Sequence, residues 1–223
     1  MARRPGRPRG GQALLTRERI LAVALQMVDE HGIDALSMRR VASELDVDPM
    51  AIYHHLPGKR AVLAGIIELA FGELQVLHHE GMIWQDRVRA FARAYHDLVR
   101  AHPQLALYLV SNLEVGADAV LAASELLYAA LADAGLSAQR IVAAADLLVD
   151  YLNGLALVEM NHLKQTGAPQ GLSKLLDRYA PEAFPVMRRV FRLTEAVPLS
   201  GVEAGVDIII IGVESLLKAD DQF

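Results

Sequence analysis

From Thr16 onward, apolar residues recur every three or four positions and nowhere alternate strictly over the length of a strand, a pattern that only helices satisfy. Ile20, Ala24 and Met27/Val28 form the first such stripe, opened by a capping hydroxyl on Thr16 and closed by Gly32. Ser37 opens a second, short helix whose apolar face is Met38, Val41, Ala42 and Leu45. Asp46-Val47-Asp48 reads as a turn, and Pro49 suits the first turn of a third helix running to about His55. After Pro57-Gly58 the spacing predicts a long helix over 59–78. Further helices are predicted over 84–101, 103–110, 116–134, 137–164, 181–194 and 201–218, parted by His102-Pro103, Gly135, 167–169 and Val197-Pro198. The segment 166–172 is the expected mobile loop. There is no internal repeat, and the fold class is all-α.

Composition narrows the function. Hydrophobic residues make up 53% of the 223-residue chain, enough for a substantial core. No run reaches the roughly 18 apolar residues of a membrane helix; the strongest, 206–213, is short and flanked by Glu203 and Glu214. Without cysteine, disulfides and thiolate metal sites are excluded. The arginine-rich start is followed by no apolar signal core, so a cytoplasmic location is expected, with association to the nucleoid when DNA is bound. The net charge of −5 is unevenly spread. Residues 1–60 hold 10 Lys/Arg against 7 Asp/Glu, a net of +3, and the rest carries −8. A basic head on an acidic body points to a polyanion met by the head alone.

The head carries the motif. Two short helices joined by a three-residue turn make a helix-turn-helix, which places its second helix in the DNA major groove. Ala42 is small where the helices cross, Val47 can plug the corner, and Ile52 can face back into a three-helix core. Asp46 stands where a left-handed residue is wanted. The run from Thr16 to Leu63 resembles the DNA-binding domain of the tetracycline-repressor (TetR) family. The likeness is carried by Gly32-Ile33-Asp34-Ala35-Leu36-Ser37, Arg39-Arg40-Val41-Ala42 and Leu45-Asp46-Val47. Most specific are Ala51-Ile52-Tyr53-His54-His55-Leu56 and Pro57-Gly58-Lys59-Arg60-Ala61-Val62-Leu63.

The resemblance implies contact roles. Arg39, Pro49, Met50 and Ala51 match positions facing bases or nearby phosphates, Tyr53 and His55 match backbone-contacting positions, and Lys59 matches a phosphate anchor. His54 replaces an aromatic residue of the tetracycline repressor. Pro49-Met50-Ala51 offers no side-chain hydrogen bond, which leaves base reading to Arg39, Arg40 and apolar contact with thymine methyls. The arm Arg3-Arg4-Pro5-Gly6-Arg7-Pro8-Arg9 resembles the core of AT-hook peptides. Arg7 and Arg9 would then enter an A·T-rich minor groove; the alternative is a solvated basic tail that adds only phosphate attraction.

Three segments are expected: a disordered basic arm over 1–15, the helix-turn-helix domain over 16–62, and a helical ligand-binding and dimerisation domain over 63–223. The body resembles the tetracycline repressor's own branch at Trp84-Gln85-Asp86, at Ala101-His102-Pro103 and over Gly205 to Glu214. The resemblance implies a homodimer through the helices at 137–164 and 201–218, in which Gly205 and Gly212 would permit close helix approach. It also implies a ligand cavity, lined here by Phe91, Tyr95, Leu98, Leu109, Leu113, Leu127, Asn153 and Met160, a set suited to a hydrophobic small molecule. The histidines that hold tetracycline and its magnesium in that repressor correspond to Gln75 and Leu109, so another inducer is expected.

The partners expected are double-stranded operator DNA, an unidentified small-molecule inducer and a second copy of the chain, with no membrane and no cofactor. Catalysis finds little support. His78-His79-Glu80 point in different directions on a helix, Glu159 with His162 lacks a third partner, and there is no phosphate loop, nucleophile elbow or HExxH. A ligandless architectural DNA binder would leave the long apolar body without a task.

Overall fold

The computed structural model describes residues 14–74, 81–164, 172–194 and 202–220, the side chains of 160–164, 172–173, 194 and 219–220 excepted. Among them all regular structure is helical, as the periodicity predicts. The order is α1 (Arg17–His31), a 3-10 turn (Ile33–Ala35), α2 (Met38–Glu44), α3 (Pro49–Tyr53) and α4 (Lys59–Gly72). Then follow α5 (Trp84–Ala101), α6 (Pro103–Ser111), α7 (Ala117–Asp133), α8 (Ala138–Lys164), α9 (Leu172–Leu176), α10 (Pro185–Thr194) and α11 (Val202–Asp220). Residues 1–13 of the N-terminal arm, His78-His79-Glu80 and most of the expected mobile loop lie outside the described residues.

Two compact units meet in sequence between Ile66 and Ile67. The first is built on local capping. The Thr16 hydroxyl accepts from the Arg19 N–H at 3.2 Å to start α1, and the Gly32 N–H bonds the Val28 carbonyl at 2.8 Å to end it. Backbone N–H donation at the open end of α1, helped by the Thr16 hydroxyl, holds the Glu18 carboxyl below its usual range. Ile20, Val28, Val41 and Ile52 are fully buried, and the whole predicted face of α2 points inward.

In the second unit α5 packs against α6, α7, α8 and α11. Its apolar side, with Val88, Phe91 and Ala92, joins Leu127, Leu148 and Val206 in one core. Its polar side clamps the neighbours: Arg87 pairs with Asp133 of α7, Arg89 with Asp207 of α11 at 2.9 Å, and Arg93 with Glu203 at 3.3 Å. The hydrogen bond that Arg89 donates to the Asp207 carboxylate holds its guanidinium above the ordinary value.

Besides the unforeseen short helix α9, three features depart from the sequence reading. First, α4 ends at Gly72, before the predicted 78; a glycine inside a helix costs about 1 kcal/mol relative to alanine, which weakens the helix at this point. Second, α10 starts at Pro185, not Pro181. The Arg188 guanidinium donates to the carbonyls of Leu176, Tyr179 and Ala180 and, through Nε, to Ala183, folding residues before Pro185 into a turn. Third, Gly205 and Gly212 do different work. A Cβ on Gly205 would collide with Cζ and Oη of Tyr151 on α8 of the same chain, whereas one on Gly212 would meet nothing. Gly205 thus serves packing within the chain.

Gly205→Ala is expected to cost about 1–3 kcal/mol in urea unfolding, as overpacking does. Shortening the obstacle with Tyr151→Leu in the same chain should recover part of that loss. An alanine variant as stable as the parent would show that the Tyr151 ring moves aside freely.

Candidate functional site

The first unit exposes one side of its helix pair. Ser37 caps α2 by accepting from the Arg40 N–H at 3.2 Å, and Asp46 takes the left-handed conformation, φ 53°, that the turn requires. Half-buried Val47 returns its N–H to the Ala42 carbonyl at 3.0 Å, and Asp48 caps α3 by accepting from the Met50 N–H at 2.8 Å. With Ala42 and Ile52 buried where α2 and α3 meet, the remaining side chains of α3 turn outward. Met50 is 62% and Tyr53 44% exposed, His54 and His55 are exposed, and Pro49 and Ala51 are half-buried.

The two arginines of α2 separate. Arg39 is exposed, with no hydrogen bond or ion pair among the described residues. Arg40 donates to the Ala35 carbonyl at 3.2 Å and lines a cleft with Glu30, His31 and Glu44 between α1 and α2. Lys59, the first residue of α4, donates from Nζ to the Ile33 carbonyl at 3.1 Å, which leaves two ammonium protons for an anion. Arg7 and Arg9 lie outside the described residues.

In the second unit the expected cavity residues divide. Phe91 and Leu127 belong to the core, and Leu98 and Leu109 are buried. Tyr95 stacks on Phe91 with ring centroids 5.8 Å apart, and its hydroxyl donates to Asn153 Oδ1 at 3.1 Å. Burial pushes the Tyr95 phenol above its usual range, reinforced by the charge of Asp150. Leu113, 60% exposed, stands apart on the surface, and the Met160 side chain is outside the described ones.

A narrow cleft of about 20 Å³ lies among α5, α6 and α8, lined by Val99, Pro103, Ala106, Leu107, Val110, Asn153, Ala156 and Leu157. Of the expected residues whose side chains are described, only Asn153 is in it. Pro103, Ala106, Leu107 and Val110 follow i, i+3, i+4, i+7 spacing, a signal that could have located this wall. The volume holds about one water, far below the size of a drug-like molecule. Two contacts lie on either side of α6, one from its N-cap His102 to Glu73 just after α4, the other from Gly116, the N-cap of α7, to Ile67 within α4. His102 Nε2 lies 3.9 Å from Glu73, and Gly116, at φ 75°, sits so close to Ile67 that a Cβ would come within 2.6 Å of its Cγ2.

Sequence reasoning also missed His96. Its side chain is 8% exposed, and Nε2 faces Glu159 Oε2 at 3.3 Å, an oxygen that Arg100 Nε approaches at the same distance. These are ion-pair distances, but neither His96 Nε2 nor Glu159 Oε2 makes a well-aligned hydrogen bond. The sequence paired Glu159 with His162 along α8; the structure turns Glu159 toward α5.

Residues 20–66 match the family model described as bacterial regulatory proteins, tetR family, and residues 79–217 that of the tetracyclin repressor-like C-terminal domain. The chain is similar to an HTH-type transcriptional regulator of Saccharopolyspora erythraea, 30% identical over 175 residues, covering 78% of this chain and 74% of the relative. It is also similar to the HTH-type transcriptional repressor DrrR1 of Streptomyces coeruleorubidus, 28% identical over 229 residues, covering 96% and 82%. Among solved structures, ActR of Streptomyces coelicolor in complex with actinorhodin matches with a TM-score of 0.70 at 26% identity, covering 91% of this chain and 98% of that one.

Tyr95→Phe removes the bond to Asn153 and is expected to cost about 0.5–1.5 kcal/mol at neutral pH. Because the folded phenol is raised above the unfolded value of about 10, its contribution is intact below that pH and is lost as pH rises through the folded pKa. The variant should therefore lose stability less steeply than the parent in alkaline urea titrations. Parallel alkaline declines would contradict this.

Proposed function

The chain belongs to the TetR family of bacterial regulatory proteins, and on that premise we propose that it is a repressor released from a palindromic operator by an apolar small molecule. Regulators of this family bind operator DNA, dimerise and bind small-molecule ligands, and they are not enzymes. The observation that carries the finer reading is the pair of contacts flanking α6, from its N-cap His102 to Glu73 at the end of α4 and from Gly116, the N-cap of α7, to Ile67 of α4, because α4 itself begins at Lys59.

In this reading, Arg39, Pro49, Met50 and Ala51 face bases and nearby phosphates. Tyr53, His54 and His55 lie along the DNA backbone, and Lys59 anchors a phosphate. Arg7 and Arg9 of the arm add phosphate or minor-groove contact. Arg40 has a smaller share, since its guanidinium is engaged with Ala35. A ligand entering the seam lined by Pro103, Ala106, Leu107, Val110 and Asn153 displaces α6. His102 and Gly116 then bear on Glu73 and Ile67, and α4 turns. Half-sites of such dimers stand roughly 34–36 Å apart, so a small change in head separation weakens both contacts together. By linkage, operator DNA weakens ligand binding by the same factor. ActR, solved with actinorhodin and with (S)-DNPA, supports an organic ligand for a fold this similar.

Exposed apolar stripes support a dimer through α8 and α11. Val142, Leu147, Leu157 and Val158 of α8 and Ile208 and Ile211 of α11 are all at least 40% exposed. The stretch Ala138–Glu159 has a mean hydropathy of 1.7 yet is only 28% buried, so α8, not 206–213, is the most membrane-like segment described. Exposed Asp146 and Asp150 interrupt it, which fits a protein partner better than lipid. Gly212, open on its outer side, suits close approach of a second copy.

Anisotropy titrations test the contact roles. Lys59→Ala should weaken selected and random duplexes alike and lower the salt slope by about one. Arg39→Ala should narrow the preference for the selected duplex; equal losses on both would make Arg39 a phosphate contact. For the ligand arm, a compound that raises the unfolding midpoint of the full chain should lower operator affinity. Unchanged affinity at saturation would refute the release mechanism for that compound.

A further inference from the structure

The start of the recognition helix is unusual in what it withholds. Base edges in the major groove are read by paired hydrogen bonds from Arg, Asn, Gln or carboxylates, or by apolar contact with the thymine 5-methyl. Along Asp48-Pro49-Met50-Ala51 the only polar side chain is Asp48, and its carboxylate is committed to the Met50 N–H at 2.8 Å. On α2, Arg40 is bonded to the Ala35 carbonyl, which leaves Arg39 as the guanidinium without a partner among the described residues. Met50 meanwhile holds a flexible thioether 62% exposed on a helix whose inward position is filled by Ile52. A solitary exposed methionine needs no explanation. Here it sits between Pro49 and Ala51 on the helix that the helix-turn-helix geometry sends into the groove.

We propose that this protein recognises its operator chiefly through thymine 5-methyl groups, with Met50 as the principal contact, Pro49 and Ala51 flanking it, and Arg39 supplying a hydrogen-bonded base beside the methyls. The proposal rests on the DNA-binding reading above. The physical basis is burial of one methyl against an unbranched, polarisable side chain that can adapt to it. Its discrimination is therefore of a kind that changing the base-pairing edge of the DNA does not probe, while removing a methyl does.

The test uses the full chain and a random-sequence duplex pool. Bound duplexes are selected and sequenced, and the enriched one is resynthesised with uracil in place of thymine, one symmetric pair of positions at a time. Uracil keeps the pairing and the charge and removes only the methyl. At one or more positions the wild type should lose about fourfold in affinity per half-site, on the order of tenfold for the two-fold site. Met50→Ala, which replaces an exposed side chain and should leave the unfolding midpoint unchanged, should bind the thymine and uracil duplexes equally. Equal wild-type affinity for both duplexes overturns methyl reading while leaving operator binding intact. A thymine preference that survives Met50→Ala overturns the assignment to Met50. Failure to enrich any sequence overturns both this inference and the repressor reading beneath it.

Discussion

Most of the second unit depends on two-sided packing by α5. Its apolar side buries Val88, Phe91 and Ala92 against α7, α8 and α11, and each large side chain so buried contributes about 1.5–3 kcal/mol. Its arginines meet Asp133, Asp207 and Glu203 at partly exposed positions, where a pair is worth about 0–1 kcal/mol. Burial therefore holds the bundle, while the ion pairs fix how α7 and α11 sit around α5. With three neighbours held this way, α6 is left as the helix flanked by a narrow apolar seam.

The head shows how much a sequence can say when structure is local. Thr16, Ser37 and Asp46 each act through atoms within a few residues, and the structure places caps and a left-handed turn at all three. The inward face of α2 was equally legible, because period alone decides it. What escaped depends on contacts distant in sequence. Gly205 looked like a partner of Gly212 seven residues on, but only the position of Tyr151 separates a packing glycine from an open one. His96 gave no signal because Glu159 reaches it from another helix. The cavity residues chosen by resemblance fell largely into the core, since the same apolar types line both. Among those whose side chains are described, Asn153 alone reaches the cleft, tied to Tyr95.

Charge and apolar surface divide the labour of the chain. The basic head has exposed residues whose inward neighbours already complete a core, and in the proposed function those outward side chains meet a polyanion. The acidic body leaves its apolar excess on α8 and α11, where a second copy would cover it and set two heads on one two-fold axis. Neither arrangement alone makes a regulator. In the proposed mechanism, the contacts of His102 with Glu73 and of Gly116 with Ile67 are the route from the seam at α6 to the helix that starts at Lys59.

The most direct measurement is selection of genomic DNA fragments by the purified chain, followed by sequencing of what is bound. The account predicts enrichment of an inverted repeat whose half-sites lie about one helical turn, or a multiple of it, apart. Fragments bound no better than random DNA at both low and moderate salt would contradict it.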